Sequence, residues 1–160
     1  LKNLINFIIF FLSSFLFAEE FYGKVISVHD GDTIRVLVGK QQKKVRLFGI
    51  DAPESNQAFG KVSQNFLKDL VWKREVKVEF KELDRYGRIV GIVYLGDVNI
   101  NLEMIKKGMA WVYITYNKDP NFLEAEQIAK KSKIGLWKDL DPIPPWEFRK
   151  NERDQKFLKK

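Results

Sequence analysis

Five short β-rich runs, turn clusters between them, and helical periodicity after the third and the fifth predict an α+β fold. A five-stranded Greek-key β-barrel of the OB type, carrying about three helices and preceded by a signal peptide, accommodates that order. The first run, Phe21–Val28, alternates and stops at His29-Asp30-Gly31-Asp32. Thr33–Val38 (TIRVLV) follows and is closed by Gly39-Lys40. Lys44–Ile50 (KVRLFGI) is the third run, halted by Asp51-Ala52-Pro53. Within 59–71, Val62, Phe66, Leu67 and Leu70 fall on one helical face. Glu75–Phe80 alternates strictly, and Ile89–Leu95 is β-rich after the turn Asp84-Arg85-Tyr86-Gly87. Asn101–Lys107 and Phe122–Lys131 have helical patterns, with Pro120 suited to the start of the second.

Three regions are expected: 1–18, a folded domain over 19–140, and a Pro-containing basic tail over 141–160. Residues 1–18 run from Lys2 through an apolar stretch, Leu4–Phe17, to Ala18 before Glu19-Glu20, the order of a secretory signal peptide. The stretch is short of the roughly 20 residues a transmembrane helix needs. Cleavage would leave a periplasmic or secreted protein, and an uncut segment an inner-membrane anchor. Asp141–Trp146 (DPIPPW) is expected to end regular structure, with Trp146 the most exposed tryptophan. The residues after it are expected to form a solvated basic tail, or one that touches nucleic acid or a surface.

Composition removes many chemistries. The 160 residues carry 28 Lys+Arg against 21 Asp+Glu, net +7, with no cysteine and one histidine. Disulfide frameworks, thiolate metal sites, cysteine nucleophiles and lipid-bearing cysteines are excluded, as are multi-histidine metal centres. The positive balance suits a polyanionic partner.

The carboxylates cluster at strand ends. Asp30-Gly31-Asp32-Thr33 precedes the second run, and Asp51-Ala52-Pro53-Glu54 follows the third. If those runs form a hairpin, Asp32 and Asp51 meet through topology. Such all-oxygen donors suit Ca²⁺ or Mg²⁺ alike. An EF-hand loop fails, because Arg35 and Gln41 stand where glycine and glutamate are required. Taken singly, each acidic cluster also reads as an ordinary turn. Arg46, five residues before Asp51, reads either as a structural ion pair or as a cation aimed at the same group; Arg88 starts the last run. Carboxylates, a divalent ion and two guanidinium forks make a kit for phosphodiester hydrolysis.

VHDGDTIRV, KVRLFGIDAPE and DRYGRIVGIVY, in this order, resemble the staphylococcal-nuclease-like (thermonuclease) family from about Phe21 to Trp137. The resemblance implies an OB-fold barrel that cleaves DNA and RNA with Ca²⁺, breaking the phosphorus–O5′ bond to leave 3′-phosphates. It makes Asp32, Asp51 and the backbone carbonyl of Ala52 the metal ligands. Glu54 would activate water, while Arg46 and Arg88 would grip the scissile phosphate. Arg85, Tyr86 and Tyr116 are expected at the nucleic acid. Alanine at 52 replaces the threonine of the best-known secreted member, which leaves the carbonyl ligand intact. A monomer without an obligate protein partner is expected. The alternative is a non-catalytic OB-fold module that binds nucleic acid or protein.

Overall fold

The computed structural model describes residues 19–158, so the expected signal peptide lies outside the described residues. Strand β1 (Glu20–Val28) pairs antiparallel with both β2 (Thr33–Val38) and β5 (Glu75–Leu83). β2 pairs with β3 (Gln41–Leu47), and β5 with β6 (Ile89–Leu95). Parallel pairing of β3 with β6, from Val45↔Ile89 to Leu47↔Gly91, closes a five-stranded barrel. The order and its non-consecutive closure are those of the predicted OB-type α+β fold.

Alternation fills the barrel. Val25, Ile34, Val36, Val45, Leu47, Val76, Val78 and Val93 are all buried inside it. Bulges at Val25/Ser27 and Phe80/Glu82 bend β1 and β5.

The predicted third strand is divided in the structure. Phe48 and Gly49 turn the chain after Leu47; Gly49 takes a φ of +73°, where a side chain would also strike Asn117. The chain then re-enters as the two-residue β4 (Ile50–Asp51), paired with β8 (Trp111–Val112) so that Asp51 lies opposite Trp111. A third two-residue strand, β7 (Val98–Asn99), pairs with the end of β6 through a tight turn.

Helix α1 (Gly60–Val71) buries Ser63, Leu67 and Val71. Helix α2 (Ile100–Lys106) starts where the Asn99 side chain accepts the Leu102 N–H at 3.0 Å. Helix α3 (Pro120–Lys131) has proline in its first turn and Asp119 as its cap. Asn101, fully buried at the start of α2, accepts the Val93 N–H at 3.0 Å and donates to the Phe48 carbonyl at 2.9 Å. It ties the helix to the bend that separates β3 from β4. A smaller cluster of Trp111, Ala129, Leu136 and Trp137 gathers under a 3-10 turn at Gly135–Lys138.

The segment expected to be an irregular tail is different. Pro145–Leu158 forms a fourth helix, α4, with Pro145 buried at its first position. Proline is pre-set for a helix's first turn, so Pro144-Pro145 ends the irregular stretch and starts a helix. Trp146 is half-buried and lies parallel to Tyr113, ring centroids 5.9 Å apart. Trp72, at 43% exposure, is the tryptophan exposed to solvent.

Candidate active site

The β2–β3 hairpin sets the geometry. Thr33 pairs with Arg46, and the Leu47 N–H bonds to the Asp32 carbonyl at 2.8 Å, so the DGD turn lies against the end of β3. Gly31 permits a close approach to α1, because a Cβ there would collide with Ser63 and Ala52. Asp32 and Asp51 are both buried.

Arg46 joins them. Its Nη1 donates to Asp32 Oδ1 in a short ion pair, and its Nη2 donates to Asp51 Oδ1 at 2.9 Å. The hairpin thus brings Arg46 to the acidic group as an ion pair, the contact both of its readings require. Asp32 Oδ2 also accepts the Ala52 N–H at 2.9 Å, and its Oδ1 accepts the Thr33 hydroxyl at 2.9 Å. Burial penalises the Asp32 charge, but Arg46 and these donors prevail and hold its carboxyl below the usual range. The flanking carboxylates keep the largely buried Arg46 guanidinium charged despite the cost of burial. Asp30 behaves oppositely: burial, then the negative charge of Asp32, pushes its carboxyl up to about 7.

A cleft of about 630 Å³ opens over Asp32 and Arg46, while Asp51, fully buried, is not among the residues that line it. Glu54, Arg85, Tyr86, Arg88 and Tyr116 all line it, so every predicted nucleic-acid and catalytic side chain faces one space. Arg88 is latched by Asp84, its Nε donating to Oδ2 at 2.6 Å, while the Tyr86 and Arg88 N–H groups both donate to Asp84 Oδ1. Burial works against the Asp84 charge, yet these bonds hold its carboxyl below the usual range. Tyr86 is 69% exposed, with the guanidinium groups of Arg85 and Arg88 at 4.9 and 5.5 Å from its ring centroid. Tyr113 and Tyr116, which also line the cleft, meet edge to face at 4.9 Å.

Sequence reasoning missed the residues that α4 contributes. Arg149 donates to Asp51 Oδ2 and to Glu54 Oε1, each at 2.7 Å, and to Asp51 Oδ1 at 3.2 Å. Arg153, one turn further on, lines the cleft as well. A usable signal was present: prolines at a helix start, Glu147 in the first turn, and Trp146, Arg149 and Arg153 at helical spacing.

The donor set fits an oxygen-seeking divalent ion, since Asp32, Asp51, Glu54 and the Ala52 carbonyl offer oxygen alone and arginine forks now neutralise the acids. Among the described residues no three acidic or histidine side chains converge as a preformed cage. The forks of Arg46 and Arg149 account for that: each carboxylate is turned toward a guanidinium.

An OB-type barrel with carboxylates and arginines converging on one cleft defines a phosphodiester-cleaving class, a β-barrel nuclease. Known proteins agree. Residues 44–139 match the family model described as staphylococcal nuclease homologue. A Haemophilus influenzae protein named "uncharacterized endonuclease" is 47% identical over 131 residues, covering 81% of this chain and 74% of that protein. An Escherichia coli protein of the same name is 41% identical over 150 residues, covering 93% and 98%. A Shigella flexneri "micrococcal nuclease" is 44% identical over 146 residues, covering 84% of each chain. The chain belongs to the staphylococcal nuclease family, and it is a thermonuclease-like nuclease acting on nucleic acid.

Proposed function

We propose that the protein is an exported nuclease that hydrolyses DNA and RNA with Ca²⁺, cutting the phosphorus–O5′ bond and leaving 3′-phosphate ends. The observation that carries this reading is the Arg46 fork spanning Asp32 and Asp51 in the cleft that Glu54 and Arg88 also line. Asp32, Asp51 and the Ala52 carbonyl would hold the ion, which would supply positive charge toward a phosphoryl oxygen.

The chain's own groups do the rest. Glu54, half-exposed at the cleft, orients a water and takes its proton as the oxygen attacks phosphorus. Arg88 holds Asp84 through Nε, so both terminal nitrogens are free of protein partners among the described residues and reach for phosphate. Arg46 lines the same cleft from β3, its two terminal nitrogens held by the carboxylates of Asp32 and Asp51. Both arginines stabilise charge that grows on the phosphoryl group as the bond to O5′ lengthens. Tyr86 and Tyr116, both exposed, offer faces on which bases stack, and Arg85 adds charge beside the first.

The test is degradation of single-stranded DNA, duplex DNA and RNA with Ca²⁺ or with EGTA, together with Arg46→Ala. Ca²⁺-dependent depolymerisation giving 3′-phosphates, lost in Arg46→Ala, is expected; salt-sensitive binding without cleavage would instead indicate a binding module. Export rests on residues 1–18 and is checked by sequencing the N-terminus of protein recovered outside the cytoplasm. A start at Glu19 marks cleavage, and a start upstream of Leu4 marks a retained anchor. Among the described residues no helix is long and apolar enough to cross a membrane.

A further inference from the structure

We propose that α4 is a strap whose Arg149 serves as a built-in cation on the carboxylate site, one that a divalent ion must displace. The proposal rests on the metal-dependent reading above and deepens it. Every carboxylate oxygen of the Asp32–Asp51 pair already accepts a hydrogen bond. Arg149 covers both oxygens of Asp51 and reaches Glu54 as well, so it blocks a proposed metal ligand and the proposed base together. A guanidinium and a dication cannot both hold the same face of Asp51, because their charges repel and their geometries differ.

Of the two arginines on Asp51, Arg149 is the one built to leave. Arg46 belongs to a barrel strand and its side chain is 18% exposed; Arg149 belongs to the last helix and is 32% exposed. The mounting of α4 is apolar at its start, where Pro145 is buried and Trp146 packs against the Trp111–Trp137 cluster, and polar beyond it. Trp146 stacks on Tyr113, Asn56 donates to Glu152 at 2.8 Å, and Gln57 donates to the Ile143 carbonyl at 2.6 Å. In its final turn, Phe157 and Leu158 are 76% and 88% exposed, so among the described residues no apolar anchor fixes that end. The connection through Asp139, Leu140 and Asp141 is exposed, and Leu140 is 97% so.

If the ion binds only when the strap is open, apparent affinity falls in proportion to the open fraction. A strap docked nine-tenths of the time weakens binding by about tenfold. The experiment is calorimetric titration of the full chain with CaCl₂ for the wild type, Arg149→Gln, Arg149→Lys and Arg153→Gln, each checked by thermal melting. Tryptophan emission is followed in parallel, with Trp146→Phe as reference. Arg149→Gln should bind Ca²⁺ about tenfold tighter, Arg149→Lys by an intermediate factor, and Arg153→Gln within twofold of wild type. Ca²⁺ should also change wild-type emission as Trp146 leaves Tyr113, and that change should vanish in Trp146→Phe.

Unchanged or weaker affinity in the folded Arg149 variants overturns the strap while leaving the nuclease reading intact. An emission that ignores bound Ca²⁺ does the same. Failure of wild type and all variants to bind Ca²⁺ removes the metal reading, and the strap falls with it.

Discussion

Replacing Asn101 with alanine removes one carboxamide that serves three backbone groups at the bend between β3 and β4. Its Oδ1 accepts the Val93 N–H at 3.0 Å, and its Nδ2 donates to the carbonyls of Phe48 at 2.9 Å and Gly91 at 3.2 Å. The Gly91 carbonyl keeps a partner, because the Phe48 N–H also donates to it at 2.8 Å. Val93 N–H and the Phe48 carbonyl are left without theirs, and Asn101 itself is fully buried. Each orphaned group costs about 1–3 kcal/mol, which sets the loss at roughly 2–6 kcal/mol. For a domain of this size that lowers the melting temperature by roughly 10 °C. Urea denaturation followed by tryptophan fluorescence reads the change as a lower midpoint at constant m. Asn99→Ala, which removes only a half-buried helix cap, serves as comparison and should cost about 1 kcal/mol. A loss below about 1 kcal/mol in Asn101→Ala at unchanged m would refute the reasoning, since buried polar groups would then have found other partners.

Other consequences follow from the cleft walls. Asp84→Asn unlatches Arg88 and should lower the cleavage rate about tenfold with little change in melting temperature, because the latch lies on a surface turn. Asp84 is held below its usual range in the folded protein, so its contribution to stability is complete above about pH 4 and is lost as pH falls through the lower folded value. Acid titration of wild type against Asp84→Asn should show that difference shrink below about pH 4; a difference growing with acidity would reverse the assigned sign. Tyr86→Ala should raise the KM for oligonucleotides by up to about tenfold at nearly constant kcat, as expected for one lost stacking face. A large fall in kcat with KM unchanged would place Tyr86 in the chemistry instead.

Much of this was legible in the residues. TIRVLV and KVRLFGI alternate, and Gly39-Lys40 divides them, so the hairpin and the meeting of Asp32 with Asp51 could be deduced from the period alone. Arg46 was legible for the same reason, since its place on the strand fixed which turn it could reach. The break at Phe48-Gly49 was hidden because apolar residues continue through it; a β4 of two residues carries no period. Asn101 looked like a helix-start residue, whereas its partners at Phe48 and Val93 are non-local. The basic composition of α4 resembled a solvated tail, and its contact with the cleft depends on carboxylates nearly a hundred positions earlier, Arg149 and Asp51 lying 98 residues apart. A charge run becomes a structural element only when its counter-charges are known.

The central claim is that one cleft of carboxylates and arginines breaks phosphodiester bonds, with Glu54 taking the proton from water. Single-turnover cleavage of a labelled oligonucleotide in Ca²⁺, comparing wild type with Glu54→Gln, tests it most directly. The account predicts a rate lower by about 10²–10⁴ in Glu54→Gln, the range of a lost general base, with oligonucleotide binding retained. Cleavage at the wild-type rate by a folded Glu54→Gln would contradict it.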